Sequence, residues 1–317
     1  LLERIGDVAM DDDLRDQYIG EARILRALFH YNLTKLWGAI PLATTSNLAT
    51  LSTIPRTSQE DIYAFVEAEL TAAATLLEGV DQGNKVRVNE WGVKALHARV
   101  KLYAGDRSGA GALANDVIKN GGYSLVADYC DVFDGGSSET ILEVFSSVND
   151  QNGIAFQFRT SGRYEYAPSA QLIAAFEPGD ERAVMVENPG GAKPEAAKYL
   201  DVGTGTDRTI VLRLAEMYLI RAEANIGNVQ ADNDLNQIRN RAGLTNRTSI
   251  TLDDILQERF VELCFEGHRW FDLIRTDRVD AVMSVINPTT WVPTASLLPI
   301  PLREIQQNPN LTQNPGY

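Results

Sequence analysis

Cysteine is almost missing from this sequence: Cys130 and Cys264 are the two in 317 residues, with no CxxC and no spacing suited to a metal. A disulfide framework and a thiolate metal centre are therefore not expected. Cys264, on the apolar side of a helix, reads as a core thiol, and a bridge to Cys130 is the less favoured reading. Histidine is scarce as well, with three. His30 and His97 fall in separate helices, and His268 has no second ligand or HExxH beside it, so it reads as a satisfied core residue rather than a base or a metal ligand. Basic residues are outnumbered, 29 against 43 acidic for a net charge of -14, and no Lys/Arg block compensates, which excludes nucleic acid as a partner. No apolar run reaches the roughly 18 to 20 residues that span a bilayer. There is no G-x-S-x-G elbow, and the turn Val202-Gly203-Thr204-Gly205-Thr206 lacks the lysine and spacing of a phosphate loop. No metal and no cofactor is expected.

What the chain does contain is helix. Thr251 to Thr276, TLDDILQERFVELCFEGHRWFDLIRT, opens with a Thr251/Asp254 capping box and places Leu252, Ile255, Leu256, Phe260, Leu263 and Cys264 three or four apart on one side. Gly267 interrupts it before His268-Arg269-Trp270-Phe271-Asp272. Residues 14 to 36 predict a helix with Leu14, Tyr18, Leu25, Leu28, Phe29, Leu33 and Leu36 on or near one face, ended by Trp37-Gly38, and a second helix follows from about 59 to 78. Glu90 to Ala104 and Ser108 to Asn120, joined by Gly105-Asp106, form a hairpin that resembles a tetratricopeptide repeat. Leu212 to Ile226 and Ala231 to Ala242, joined by Gly227-Asn228, read as another copy. The fold class expected is mainly α: tetratricopeptide-like helical hairpins, an α-α superhelix, with an irregular loop-rich insertion containing short strands. Segments 1–122, 123–208 and 209–317 are read as N-terminal hairpins, insertion, and C-terminal hairpin with an extended tail, within a single domain.

The insertion loses helical spacing and gains Gly, Ser, Asn and Pro, with strand-like runs at 141–145 and 155–158. Its aromatic content argues against disorder. A sugar offers apolar C–H faces that lie on aromatic rings, and hydroxyls that need amides, guanidinium or carboxylates. The run Gln157 to Tyr166, QFRTSGRYEY, supplies both kinds of group. Phe158, Arg163, Tyr164 and Tyr166 are the candidate ligand-binding residues, with Trp291 in the Pro- and Asn-rich tail as another. These rings either stack on a ligand or seal the loop against the helices. Trp37 and Trp270 read as packing residues.

Glu258, Glu262 and Glu266 stand four apart on one helix face. Glycoside hydrolysis needs two acids facing each other across the sugar, whereas residues stacked on one face point the same way. An ion network with Arg213, Arg221, Arg239 or Arg241 is the preferred reading, and a hydrolase using Glu262 the less favoured one. No catalytic residues are assigned, and the chain is not expected to be an enzyme.

ERFVELCFEGHRWFDLIR resembles the C-terminal signature of the SusD/RagB family. GEARILRALFHYNLTKLWGAIPL at Gly20 to Leu42, LRLAEMYLIRAEA at Leu212 to Ala224, and LLPIPLREIQQNPNLTQNPGY at the end agree with it in the same order. The resemblance implies tetratricopeptide-like hairpins whose loops capture oligosaccharides, or peptides in the RagB branch. It also implies partnership with a SusC-like TonB-dependent transporter, and lipid anchoring at the extracellular face of the outer membrane. The chain opens Leu1-Leu2-Glu3, inside what reads as a helix, so the lipidated N-terminus that would anchor it is expected to lie outside these residues. The family's ligand contacts have no fixed motif, so none is carried over.

Overall fold

Five of the longer helices start where a short polar side chain accepts a first-turn backbone N–H, from Asp11, Ser58, Asn89, Asp106 and Thr251, whereas the helices after Arg213 and Asn228 start without one. The Thr251/Asp254 box is reciprocal, as expected. The computed structural model describes residues 1–80 and 83–317. In chain order its elements are α1 (Asp12–Trp37), β1 (Ile40–Pro41), α2 (Leu48–Leu51), β2 (Arg56–Thr57), α3 (Gln59–Leu76), α4 (Glu90–Tyr103), α5 (Arg107–Asn120), β3 (Thr140–Val144), α6 (Ile154–Phe158), α7 (Ala170–Ala175), β4 (Val186–Glu187), β5 (Glu195–Ala196), β6 (Thr209–Arg213), α8 (Leu214–Ala224), α9 (Val229–Arg241), α10 (Leu252–Glu262), α11 (Arg269–Arg275), α12 (Val279–Ile286) and α13 (Leu302–Gln307). The fold is mainly α and built from helical hairpins. Among the described residues the strands pair only two by two, all antiparallel: β1 with β2, β3 with β6, and β4 with β5.

Two compact units are distinguished, Leu1–Asp81 with Trp270–Tyr317, and Gln82–Arg269. In the first, α1 packs along α3. The face that carries the large apolar residues is not the one in this contact: Leu14, Leu25, Phe29 and Leu33 are exposed, while Gly20, Ile24, Ala27, Tyr31 and Thr34 are buried. The approach of the two helices explains it. A Cβ at Gly20 would stand 2.7 Å from Leu77 Cγ, so the helices come close where α1 carries no side chain, and Ile24, Ala27, Tyr31 and Thr34 continue that face. The tail lies against the helix end as expected, with Leu298 N–H donating to Leu36 O at 2.8 Å and Trp37 Nε1 to Pro299 O at 3.0 Å. The extended Leu298–Pro301 run then turns into the short α13, which the sequence reading passed over. The opening residues are a turn and a 3₁₀ turn at Ile5–Asp7 rather than the inside of a helix.

In the second unit, α5 packs on α8, so the α4–α5 and α8–α9 hairpins stack as neighbours although the insertion separates them in sequence. Close approach is again built on a glycine, since a Cβ at Gly111 would meet Ala224 Cβ at 2.5 Å. Ala215, Leu219, Ala222, Leu235, Ile238, Ile250, Ile255 and Leu263 form one buried cluster between α8, α9 and α10. Each large aliphatic side chain there contributes roughly 1.5–3 kcal/mol of transfer free energy.

Two further element assignments, both in the second unit, differ from expectation. Leu212 and Arg213 belong to a strand, because β3 pairs with them (Leu142 with Leu212, Thr140 with Arg213), and helix begins only at Leu214. The run 155–158 is helical, not a strand. The Asn152 side chain accepts Ile154 N–H at 2.8 Å and starts a turn, which Gln157 N–H to Gly153 O and Arg159 N–H to Ala155 O continue. Both cysteines are free thiols, Cys130 exposed and Cys264 buried. Among the described residues no helix is long and apolar enough to cross a membrane.

Candidate functional site

The acidic row is where chemistry would be sought first, and its carboxylates are all taken; Glu258 and Glu262 lie on α10, while Glu266 falls in the turn beyond its end rather than on the same helix face. Glu262 is fully buried and accepts from Arg182 Nη1 at 3.0 Å, from Arg213 Nη1 at 2.6 Å and from Arg241. Glu258 accepts from Arg182 at 2.6 Å and Arg239 at 3.2 Å, and Glu266 from Lys198 at 2.6 Å and Arg213 at 2.7 Å. The carbonyl oxygen of Glu262 also receives Arg213 Nη2, Lys198 Nζ and the Tyr129 hydroxyl. Burial alone would raise the Glu262 carboxyl, but Arg241, Arg213 and Arg182 outweigh it and hold it well below the usual range. At Glu258 burial wins over Arg182 and the carboxyl is raised.

This is the ion network that the spacing of the glutamates suggests, with one change of partners. Arg221 takes no part; it forms a two-pronged pair with Asp234 and bonds Asn115 at 2.9 Å. Its place is filled by Arg182 and Lys198, both from the insertion, which the sequence reading missed. Nothing in local spacing links residues so far apart in the chain. The network therefore clamps the insertion to α9 and α10, and these acids do not face a cleft. His268 is buried, with Nδ1 3.8 Å from Glu216.

The aromatic loop is a built structure. After α6 the chain folds back on itself: Gly162 N–H donates to Arg159 O at 2.9 Å, Arg163 N–H to Phe156 O at 2.7 Å, and Glu165 and Tyr166 N–H both to Gln157 O at 2.8 and 3.2 Å. Any side chain at Gly162 would strike the Phe156 carbonyl. Tyr164 sits at φ 49°, in the left-handed region, and its hydroxyl donates to Pro194 O at 2.8 Å. Arg159 pins the loop to the β4–β5 hairpin, with Nη2 2.9 Å from Glu187 and Nη1 donating to Ala196 O at 3.2 Å. Thr160 adds its N–H and hydroxyl to Glu195, at 3.1 and 2.6 Å, and the hydroxyl is the main reason the Glu195 carboxyl is held below its ordinary value.

Four of the five candidate residues share this loop. Phe158 is half-buried, edge-on to Phe265 at 5.5 Å and tilted against Tyr166 at 5.7 Å, so it seals the loop. Tyr166 is 55% exposed and offers a ring to solvent. Tyr164 is half-buried, its polar tip engaged, with Lys193 over its ring at 5.6 Å. Arg163 is exposed and paired with Glu165 at 3.0 Å. The fifth, Trp291, belongs to the other unit, where its ring meets Trp270 at 6.0 Å and its Nε1 donates to Asp280 at 3.0 Å. Phe265, Lys193, Glu187 and Glu195 were not singled out in the sequence, since only folding brings them to the loop.

Comparison with known proteins follows the same outline. Residues 192–317 match the family model described as "SusD family", and residues 1–102 the one described as "Starch-binding associating with outer membrane". A SusD-like protein of Bacteroides ovatus is 25% identical over 329 residues, covering 84% of this chain and 60% of the relative's length. The starch-binding protein SusD of Bacteroides thetaiotaomicron is 29% identical over 197 residues, covering 59% of this chain and 34% of that protein. Among solved structures, a laminarin-binding SusD-like protein superposes with a TM-score of 0.91 at 26% identity, covering 100% of this chain and 82% of its own.

Proposed function

Because this chain belongs to the SusD family, we propose that it is a non-catalytic binding protein of the cell surface that captures oligosaccharides and passes them to a SusC-like TonB-dependent transporter. Family models and relatives described as starch-binding and outer-membrane-associated support the coarser part, glycan binding at the outer membrane. Lipid anchoring on the extracellular face and the hand-off to a transporter are part of the proposal.

The observation that carries it is Tyr166: a solvent-facing ring on a loop whose backbone is folded back and pinned by Arg159 and Thr160. Such preorganisation lowers the entropy cost of binding. The geometry at α10 points the same way, since Glu258 and Glu262 are buried and bonded to arginines and cannot reach a polysaccharide.

Binding to a panel of oligosaccharides by calorimetry tests the proposal, with Tyr166→Ala and Tyr164→Ala beside the parent. The expected result is a loss of roughly tenfold in affinity in each variant. Unchanged affinity in both would remove this loop from the site. Peptide binding without any sugar response would select the RagB-like reading, and product release abolished by Glu262→Gln would overturn the non-enzymatic one. Co-purification with the transporter tests the hand-off.

A further inference from the structure

At the end of β3 the usual arrangement is inverted: Ser146 is buried, whereas Val144 and Phe145 face water, the Phe145 side chain being 54% exposed. The exposed ring is nevertheless held. Val144 pairs with Thr209, so Phe145 leaves the ladder beside Arg208, whose guanidinium lies over its ring at 5.5 Å. Arg208 is fixed in turn by Glu143, a buried carboxylate 2.5 Å from its Nη1. Beyond Phe145 the chain makes a tight turn, in which Ser147 and Asp150 exchange both N–H to carbonyl bonds at 3.0 Å. It is tied back at Asn152, whose N–H donates to Gly205 O at 2.7 Å and whose side-chain amide donates to Asp207 O and Thr209 Oγ1, each at 2.9 Å. From that tie the chain runs through α6 into the Tyr166 loop.

We propose that Phe145, backed by Arg208, is a second sugar-stacking platform, and that the ligand is a glycan chain long enough to engage Phe145 and Tyr166 together; this rests on the reading of the Tyr166 loop as a glycan site. A single exposed apolar side chain is ordinary on a protein surface. A ring fixed from one side by a guanidinium is different, because it offers its open side to a sugar C–H face with little left to order on binding. The segment from 145 to 166 also interleaves the two kinds of group that a sugar chain needs. Exposed rings stand at Phe145, Phe156 and Tyr166, and exposed amides for hydroxyls at Asn149, Gln151 and Gln157. Two platforms on one segment act in concert: once one sugar is stacked, another unit of the same chain meets the second ring at high effective concentration, so affinity grows with chain length.

The test is calorimetry of the parent, Phe145→Ala, Phe145→Tyr and Tyr166→Ala with laminarin, soluble starch and arabinoxylan, and with a graded series of oligosaccharides from whichever of them binds. Phe145→Ala should weaken polysaccharide binding about tenfold and disaccharide binding less, the loss growing with chain length, while Phe145→Tyr, which keeps a flat ring, holds the parent's affinity. Tyr166→Ala should weaken long and short chains alike. No loss in Phe145→Ala at any length, with Tyr166→Ala still impaired, overturns the inference and leaves the Tyr166 reading in place. A loss in Phe145→Ala that is equal for short and long chains, or one without a loss in Tyr166→Ala, overturns the claim that the two rings share a chain. Absence of glycan binding by the parent overturns the reading beneath it as well.

Discussion

Arg213, the last residue of β6, places Nη1 2.6 Å from Glu262 Oε1 on α10, and both side chains are excluded from water. The same guanidinium also reaches Glu139 at 2.8 Å and Glu266 at 2.7 Å, so one side chain ties the start of β3, the end of β6 and the end of α10 together. A buried pair of this kind is costly to break because the partner left behind is uncompensated.

Arg213→Met should therefore lower unfolding free energy by about 3–5 kcal/mol, read from urea denaturation. Arg221→Met breaks only the pair with Asp234 and the bond to Asn115, and is expected to cost less. Equal losses in the two variants would show that Arg213 is not central to the clamp.

Acid should weaken the fold through the same residues. A carboxylate held below its unfolded value stabilises the protein above that value, and the contribution is lost as pH falls through the folded one. Glu262 and Glu266 are both lowered, burial opposing and arginines prevailing, so their contribution is present above the ordinary 4.5 and fades below it. Glu258 has the opposite sign; burial raises it, and its protonation offsets part of the loss. The expected Tm is flat near neutrality and falls below pH 4.5, with a shallower acid limb in Glu262→Gln. A Tm independent of pH down to 3 would contradict this account.

Loop order should be separable from ligand contact. Gly162→Ala pushes a methyl group into the Phe156 carbonyl, and Arg159→Met releases the loop from Glu187 and Ala196. Both are expected to speed proteolysis within 156–166 and to weaken oligosaccharide binding while changing global stability by less than about 3 kcal/mol. Unaltered proteolysis together with unaltered binding would mean that the pinning has no role.

Stacking of the two hairpins rests on the contact of Gly111 with Ala224. Gly111→Val should cost about 1–3 kcal/mol by overpacking, visible as a lower urea midpoint, despite the better helix propensity of valine. A neutral or stabilising outcome would place the two helices further apart than described.

Much of the scaffold could be read directly from residue spacing. The capping residues Ser58, Asn89, Asp106 and Thr251 mark helix starts because their side chains act on N–H groups two or three residues away, which is a local relation. The α1 face could not be read that way. Large apolar residues at 25, 29 and 33 mimic a core stripe, yet the contact with α3 is chosen by what lets two backbones approach, and that is Gly20. At 155–158 alternating apolar residues suggested a strand, but a cap from Asn152 produced a helical turn. Phe158 and Tyr166 could be picked out as aromatic, but not that one would seal the loop and the other face water.

By itself the sequence determined the hairpins, their joints and the row of glutamates, since periodicity, capping and turn chemistry act over a few residues. Tertiary structure alone decided which arginines answer those glutamates, that Arg182 and Lys198 arrive from the insertion, and that Arg159 holds the loop bearing Tyr166 against β4 and β5. The physical reason is range: a buried charge must find an opposite charge wherever the chain has brought one, and that meeting is settled by packing across tens of residues rather than by neighbours in sequence.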